Sequence, residues 1–252
     1  MEQHGRSYED VLREAQELGF AEADPTSDVE GYDALYKVSI LSQLIFGEAP
    51  PIEAAVREGI SRITVEEMQI AKQLGYRFKL IAQAQKDQDA VTLSVRPTLL
   101  PLGHSLAQIQ DAFNAVQITG NIVGDLLFTG KGAGELPTAS AVVEDLAYLL
   151  SQPFQAQSPW STGISLEGAR ANKQCQLVVL EAKKAPISEH IQLLMQQEGI
   201  RILAQVGDEA TRIGFILEGN LQIDPATGIH IYPVLETVNT NESVDSYSTL
   251  VI

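Results

Sequence analysis

The sequence predicts an α+β fold, and three patterns carry that prediction. In residues 7–74, apolar side chains recur mainly at the spacing of helices. From Tyr76 onward, short runs alternate between apolar and polar residues, which is typical of half-buried strands. After a polar stretch at residues 152–173, a strand, a helix and three further strands are predicted. Helices and strands in separate stretches predict a mostly antiparallel sheet with helices on one face.

The helices predicted before the first strand are supported by the residues that would cap or end them. Ser7 is positioned to cap a helix over residues 7–18. A long helix over residues 29–46 is expected to stop at Gly47, and residues 51–57 predict a short helix. Thr64 and Glu67 have the spacing of a capping box, for a helix that ends before Gly75.

The strands follow in pairs. Residues 76–84 and 90–95 predict a β-hairpin, with 99–102 as a loop or edge strand. Residues 114–119 and 123–129 predict a second strand pair that precedes a glycine loop and a helix over 138–150. These elements define a first domain over residues 1–151.

The remaining residues predict a linker, a small module and a tail. Residues 152–173 are rich in Ser, Gln, Gly and Pro and are interpreted as a linker. Residues 174–236 have the β-α-β-β order of a ferredoxin-like module. Residues 237–252 are mostly polar and predict a flexible tail.

Composition restricts the class of protein. The 252 residues suffice for one large or two modest domains, and 44% of them are hydrophobic, enough for a core. The net charge of −16 argues against nucleic acid and anionic membranes as partners, so a site for an anionic cofactor must be local. The single cysteine excludes an intrachain disulfide, and neither a signal peptide nor a spanning segment is predicted. We expect a soluble cytoplasmic protein, and no residues are assigned to a metal.

The most informative stretch is AEADPTSDVEGYDALYK, residues 21–37. It contains four ionisable candidates, which are Glu22, Asp28, Asp33 and Lys37. Asp33 and Lys37 are four residues apart and share a helix face, and the apolar run VSILSQLIFG that follows predicts entry into a core. A lysine near a buried helix is costly unless it is paired, which makes it a functional-site candidate. The alternative is that the acids cap the helix and that the pair is solvated, worth a few tenths of a kcal/mol.

The glycine loop is the second candidate. Gly130, Gly132 and Gly134 lie between a strand and a helix, where backbone amides can face an anion. Their spacing is G-x-G-x-G, without the G-x-G-x-x-G fingerprint of a dinucleotide fold, and a plain turn is the alternative.

Both stretches resemble motifs of homoserine dehydrogenases. The segment from Glu22 to Lys37 resembles the substrate-site signature of that family, and GKGAGELPTASAVVED resembles the segment that returns its chain toward the cofactor domain. Supporting blocks are EAQELGFAEADP, REGISRIT, AKQLGYRFKLIA and RPTLLPLGHSLAQIQDAFNAV. The family gives no role to His104 in the last block, and a surface loop is expected for it.

The resemblance implies an NADP- or NAD-dependent enzyme that interconverts L-homoserine and L-aspartate 4-semialdehyde. In this chain Lys37 would transfer the proton, with Asp33 holding Lys37 or substrate. Glu22 would bind the substrate ammonium, assisted by Asp28, and Gly132 and Gly134 would lie at the cofactor.

The resemblance further implies a homodimer that is built on residues 1–151. It places an ACT-like module at residues 174–236 and a nicotinamide-binding Rossmann domain before residue 1, so that the chain is expected to be N-terminally truncated. The alternative is a non-catalytic remnant that dimerises or binds an amino-acid effector.

Overall fold

The fold contains two sheets, six helices and two 3₁₀ turns among the residues that the structure describes. The computed structural model describes residues 1–2, 5–18, 21–87, 90–111, 113–120, 122–151, 175–182, 186–197, 199–208, 210–219, 221, 229–235 and 248–251. The helices are α1 Tyr8–Glu17, α2 Thr26–Val29, α3 Tyr32–Phe46, α4 Val65–Gln73, α5 Glu135–Ser151 and α6 Ile187–Met195. The 3₁₀ turns are Ile52–Ala54 and Ser105–Gln108. The α+β class is therefore confirmed.

The first sheet has six strands in the order β1-β3-β2-β10-β4-β5. Its strands are β1 Val56–Arg57, β2 Tyr76–Asp87, β3 Ala90–Pro101, β4 Phe113–Gly120, β5 Gly124–Lys131 and β10 Ser248–Val251. All pairs are antiparallel except β1 with β3, so both predicted hairpins are confirmed. The predicted loop or edge strand at 99–102 is instead mostly part of β3, because β2 and β3 pair along their full length.

The second sheet has four antiparallel strands in the order β7-β8-β6-β9. They are β6 Cys175–Glu181, β7 Arg201–Asp208, β8 Arg212–Glu218 and β9 Ile229–Pro233. Helix α6 covers one face, where Ile187 and Leu194 pack with Phe215. The linker predicted at 152–173 lies outside the described residues.

Helix α4 joins the two sheets into one packed unit. Ile70 and Ala71 of α4 share a core cluster with Leu99 of the first sheet and with Leu177 and Ile216 of the second. A Cβ at Gly214 of β8 would lie 2.3 Å from Cγ2 of Ile70, so only glycine permits this close approach. The second sheet is therefore covered by a helix from residues 65–73.

The predicted flexible tail at 237–252 is wrong for its last residues. Strand β10 pairs with β2 on one side and with β4 on the other, so it is the inner strand that joins the two hairpins. Leu250 is fully buried and packs with Leu35 and Val38 of α3. Backbone pairing on both sides and an apolar contact below it fix this segment in place.

Candidate functional site

The candidate site begins with a break between two helices. Residues 29–46 do not form one continuous helix as predicted, because Gly31 adopts a left-handed φ of 79° between α2 and α3. A Cβ at Gly31 would also lie 2.9 Å from Cγ1 of Val95 in β3. Glycine therefore does two things here: it permits the turn, and it lets the start of α3 lie directly on the sheet.

A second glycine fixes the other side of this turn. A Cβ at Gly59 would lie 2.7 Å from the carbonyl oxygen of Val29 and 2.8 Å from Cα of Glu30. The amide of Ile60 donates a hydrogen bond of 2.8 Å to the same Val29 carbonyl, and the Ser61 hydroxyl donates one of 2.7 Å to the Glu30 carboxylate. Backbone contacts on both sides therefore hold the entry to α3.

The structure brings Asp33 and Lys37 together on the first turns of α3. Nζ of Lys37 lies 2.6 Å from Oδ2 of Asp33, the contact that their spacing predicts. The two side chains are 56% and 42% exposed, respectively, so Lys37 is not a buried charge as the apolar run after it suggested. The reason is helical geometry: Leu35, Val38 and Ser42 face the sheet, whereas Lys37 projects from the opposite side.

Glu22 and Asp28 lie on the segment that leads into α3, and both are exposed. Nε2 of Gln16 in α1 donates a hydrogen bond of 2.9 Å to the carbonyl of Glu22, which holds the backbone at that point. Among the hydrogen bonds and ion pairs of the described residues, none joins either carboxylate to Lys37. The site is thus an open acidic surface around one paired lysine.

Asp24, which the sequence did not single out, lies just before α2 and bonds to the first residue of that helix. Its Oδ1 accepts hydrogen bonds from the backbone amide and the hydroxyl of Thr26, at 3.1 and 2.6 Å. Both hydrogen bonds lower the pKa of Asp24. Asp28 lies further along α2, and its backbone carbonyl accepts a hydrogen bond of 3.2 Å from Gly31.

Two further residues at the start of α3, Arg57 and Tyr32, were also missed. The guanidinium of Arg57 lies 3.7 Å from the centroid of the Tyr32 ring and donates to the backbone carbonyl of Glu30. It also donates a hydrogen bond of 3.0 Å to the Tyr32 hydroxyl. Arg57 therefore clamps both sides of Gly31, and the signal that could have identified it is the block REGISRIT at residues 57–64.

The glycine loop lies at the far edge of the first sheet. Gly130 is in β5, Gly134 has a φ of 116°, and α5 begins at Glu135, so the loop leads directly into a helix start. A Cβ at Gly132 would lie 1.9 Å from Nδ2 of Asn114, so the exposed Asn114 side chain would have to move to accommodate it. Helix α3 packs on β10, and β5 lies two strands further along the sheet. No hydrogen bond within the described part of the chain connects the glycine loop to Lys37.

Helix α5 has no buried residue within the described structure. Its exposed apolar side chains include Leu136, Val142, Val143, Leu146, Leu149 and Leu150. No described element covers this apolar face, which is therefore exposed to solvent.

His104 has a structural role. Its Nδ1 accepts a hydrogen bond of 3.2 Å from the amide of Leu106 and so caps the 3₁₀ turn at Ser105–Gln108. Burial lowers the pKa of His104, against a smaller opposing effect of Asp125. His104 lies in a loop, as expected, where it is partly exposed, and its capping hydrogen bond is consistent with a role outside catalysis.

Two negative observations limit the chemistry within the described ranges. No group of three or more His, Cys, Asp or Glu side chains is arranged to hold a metal ion. No described helix is both long enough and apolar enough to cross a membrane.

Comparison with solved structures defines the class of fold. A homoserine dehydrogenase from S. aureus, crystallised at pH 6.0, superposes with a TM-score of 0.73 at 33% identity, over 94% of this chain and 62% of that chain. A homoserine dehydrogenase from Thiobacillus denitrificans gives a TM-score of 0.73 at 32% identity, over 94% of this chain and 60% of that one. The structural similarity therefore includes residues of both sheets.

The family follows from sequence. The model of the family described as homoserine dehydrogenase matches residues 1–147 of the 252. The homoserine dehydrogenase of Bacillus subtilis is 51% identical over 143 residues, which cover 57% of this chain and 33% of the relative. That of Neisseria gonorrhoeae is 46% identical over 146 residues, 58% of this chain and 34% of the relative. The chain belongs to the homoserine dehydrogenase family, and it spans about a third of the length of these relatives.

Proposed function

We propose that residues 22–37 form the substrate side of a homoserine dehydrogenase active site, which interconverts L-homoserine and L-aspartate 4-semialdehyde. The observation that carries this proposal is the Asp33–Lys37 pair, held at 2.6 Å on the solvent side of α3. An ammonium that is accessible and fixed by a carboxylate can reach a substrate oxygen, whereas a buried one could not. Similarity to enzymes over residues 1–147 favours this function over a non-catalytic one.

Each side chain has a distinct part in the proposed reaction. In the aldehyde direction Lys37 donates a proton to the oxygen on which negative charge develops, and in the alcohol direction it accepts that proton. Asp33 orients the Lys37 ammonium through their ion pair. Glu22 and Asp28 are exposed carboxylates on the same segment and attract the substrate's own ammonium.

The reaction also needs a nicotinamide dinucleotide, NADP or NAD, which supplies or accepts the hydride when it is bound. The residues that fit one end of it are Gly132 and Gly134, because they leave the backbone bare just before the N-terminus of α5. We propose that this loop approaches the cofactor, with the exposed apolar face of α5 packing against the cofactor-binding domain.

Two finer features of the family are part of the same proposal. Strand β5 is an edge strand with exposed Leu127 and Phe128, which supports a homodimer built on the first sheet. The strand order β7-β8-β6-β9, with all pairs antiparallel, supports an ACT-like module built on the second sheet. The dimer is tested by sedimentation: Phe128→Glu is expected to shift the chain toward monomer.

The function is tested by NADP- or NAD-dependent oxidation of L-homoserine, measured with this chain and a nicotinamide-binding domain from a relative. Lys37→Met is expected to lower kcat by about 10²–10⁴-fold, the usual contribution of a positioned acid–base group. Because the Asp33–Lys37 pair is exposed, the free energy of unfolding should change by less than about 1 kcal/mol. Lys72→Met, at an exposed lysine of α4, is the matched control.

Glu22→Gln separates binding from chemistry. Because Glu22 is proposed to bind the substrate ammonium, the variant should raise KM for L-homoserine more than it lowers kcat. Full activity in Lys37→Met, or equal losses in Lys37→Met and Lys72→Met, would remove Lys37 from the mechanism.

A further inference from the structure

The turn at Gly31 sets the geometry of the Asp33–Lys37 site. Gly31 separates α2 from α3, and Lys37 is on the second turn of α3, whereas Asp28 is on α2. In the part of the chain that the structure describes, no hydrogen bond or ion pair joins Lys37 to Glu22 or Asp28. The separation between Lys37 and these two carboxylates therefore depends on the direction in which α3 leaves the turn.

One side chain, that of Arg57, contacts both sides of this turn. Its Nη1 donates a hydrogen bond to the carbonyl of Glu30, the residue before Gly31. Its Nη2 donates one of 3.0 Å to the hydroxyl of Tyr32, the residue after Gly31, and the guanidinium carbon lies 3.7 Å from the centroid of that ring. A guanidinium is planar and presents its donors in a fixed fork, so these contacts restrict the direction in which α3 begins.

The backbone of Arg57 is itself fixed on the first sheet. Strand β1 pairs in parallel with β3, with Arg57 beside Val95, and the amide of Glu58 donates a hydrogen bond of 2.7 Å to the Val95 carbonyl. Gly31 also lies on Val95, because a Cβ at Gly31 would be 2.9 Å from Cγ1 of Val95. Arg57 therefore links the start of α3 to the strand on which that helix rests.

Other contacts also hold the backbone of this turn. The amide of Ile60 donates a hydrogen bond of 2.8 Å to the Val29 carbonyl, and the Ser61 hydroxyl donates one of 2.7 Å to the Glu30 carboxylate. Helix α3 is further anchored by its buried face. Loss of the partly exposed Arg57 side chain should therefore leave the chain folded and loosen chiefly the first turns of α3.

We propose that Arg57 is a positioning residue for proton transfer by Lys37. This inference rests on the proposed function, in which Lys37 exchanges the proton and Glu22 and Asp28 hold the substrate ammonium. By fixing the first turns of α3, Arg57 places Nζ of Lys37 at a constant distance from a substrate that is held on the preceding segment. A displacement of about 1 Å at a reacting group can lower a rate by up to about 10²-fold, so small changes at this turn matter.

The test measures NADP- or NAD-dependent oxidation of L-homoserine by this chain with a nicotinamide-binding domain from a relative. Arg57→Met is expected to lower kcat by about 10–100-fold and to change KM for L-homoserine by less than about threefold, because the lysine moves and the carboxylates that hold the ammonium do not. The solvent deuterium isotope effect on kcat should rise, because a misplaced lysine slows proton transfer. A smaller folded fraction would lower kcat without changing that isotope effect.

Arg62→Met is the matched control. Arg62 is an exposed arginine of the same segment and is paired with Glu58 at 3.2 Å, so its replacement should leave kcat, KM and the isotope effect unchanged.

Two further variants show how Arg57 acts. Arg57→Lys keeps the positive charge but loses the fork that donates on both sides of Gly31, so its kcat should lie between those of the unaltered enzyme and Arg57→Met. Tyr32→Leu removes the ring that Arg57 contacts, so it should lower kcat less when it is added to Arg57→Met than when it is made alone.

The outcomes separate this inference from the proposed function. If the unaltered pair did not oxidise L-homoserine, or if Lys37→Met kept full activity, the proposed function would fail and the inference with it. If Lys37→Met lost activity but Arg57→Met matched Arg62→Met, or lost kcat with no change in the isotope effect, only the role of Arg57 would be overturned.

Discussion

Replacement of Glu67 by alanine should destabilise the fold more than any exposed carboxylate replacement. Glu67 is fully buried and accepts four hydrogen bonds. They come from the Thr64 amide at 2.8 Å, the Thr64 hydroxyl at 3.0 Å, the Tyr232 hydroxyl at 2.9 Å, and His230. Alanine would leave these donors without an acceptor at the junction of α4 and β9. Loss of one partner of a buried pair costs about 3–5 kcal/mol, and we expect a decrease in unfolding free energy of that size.

The assay is urea unfolding followed by circular dichroism at pH 6, where both partners are charged. Glu66→Ala is the matched control, because Glu66 is also in the first turn of α4 but is 62% exposed, 3.4 Å from Arg212. The control should lose less than about 1 kcal/mol. Tyr232→Phe removes a single donor and should cost about 1 kcal/mol.

The hydrogen-bonded pair of Glu67 and His230 predicts a pH dependence of stability. The hydrogen bond to Glu67 raises the pKa of His230 above 6.5. The stability that protonated His230 contributes is therefore complete below pH 6.5 and is lost as pH rises through the raised pKa. The pKa of Glu67 lies below 4.5: burial opposes ionisation, but the bonds from His230 and Thr64 outweigh it. That contribution is present above pH 4.5 and is lost as pH falls through the lowered value. Stability from this pair should therefore be greatest between these limits.

Two results would refute this reasoning. If Glu67→Ala lost no more stability than Glu66→Ala, the four hydrogen bonds would not be maintained in solution. If the decline in stability above pH 6.5 persisted unchanged in Glu67→Gln, another group would be responsible for it.

Three other predictions concern packing. Leu250→Ala should lower the unfolding free energy by about 2–5 kcal/mol in urea unfolding, because Leu250 is fully buried in the middle of the first sheet. Gly31→Ala should cost about 2–4 kcal/mol, because a left-handed φ and a contact 2.9 Å from Val95 both oppose a Cβ, whereas Gly103→Ala, with open space around it, should cost less than about 1 kcal/mol. Leu146→Glu on α5 should leave the thermal midpoint nearly unchanged and reduce binding of a hydrophobic dye, because Leu146 is 54% exposed.

Local features of the fold were predictable from the sequence. The capping box of Thr64 and Glu67 is present, Ser7 caps α1, and Asp33 contacts Lys37 as their spacing requires. Each of these depends on residues at most four positions apart, so short-range geometry decides it.

The features that were missed depend on distant residues. Gly31, at the break, lies so close to Val95 that a Cβ would not fit, and the pairing of β10 depends on strands that lie more than 100 residues earlier. The hydrogen bonds that join Glu67 to His230 and Tyr232 of β9 also link residues far apart in sequence. One signal was present, because His230 and Tyr232 share one face of a strand, which indicates that polar groups meet there. Helical periodicity indicated that α3 is buried but not which side of it remains open around Lys37.

The position of β10 makes the order of synthesis matter. The hairpins β2–β3 and β4–β5 can form as soon as their residues emerge, but the strand that joins them is translated more than 100 residues later. Until then the inner edges of β2 and β4 expose unpaired backbone groups, which are templates for aggregation. Such long-range pairing slows folding, so the nascent chain would benefit from a chaperone that shields these two edges until residues 248–251 are available.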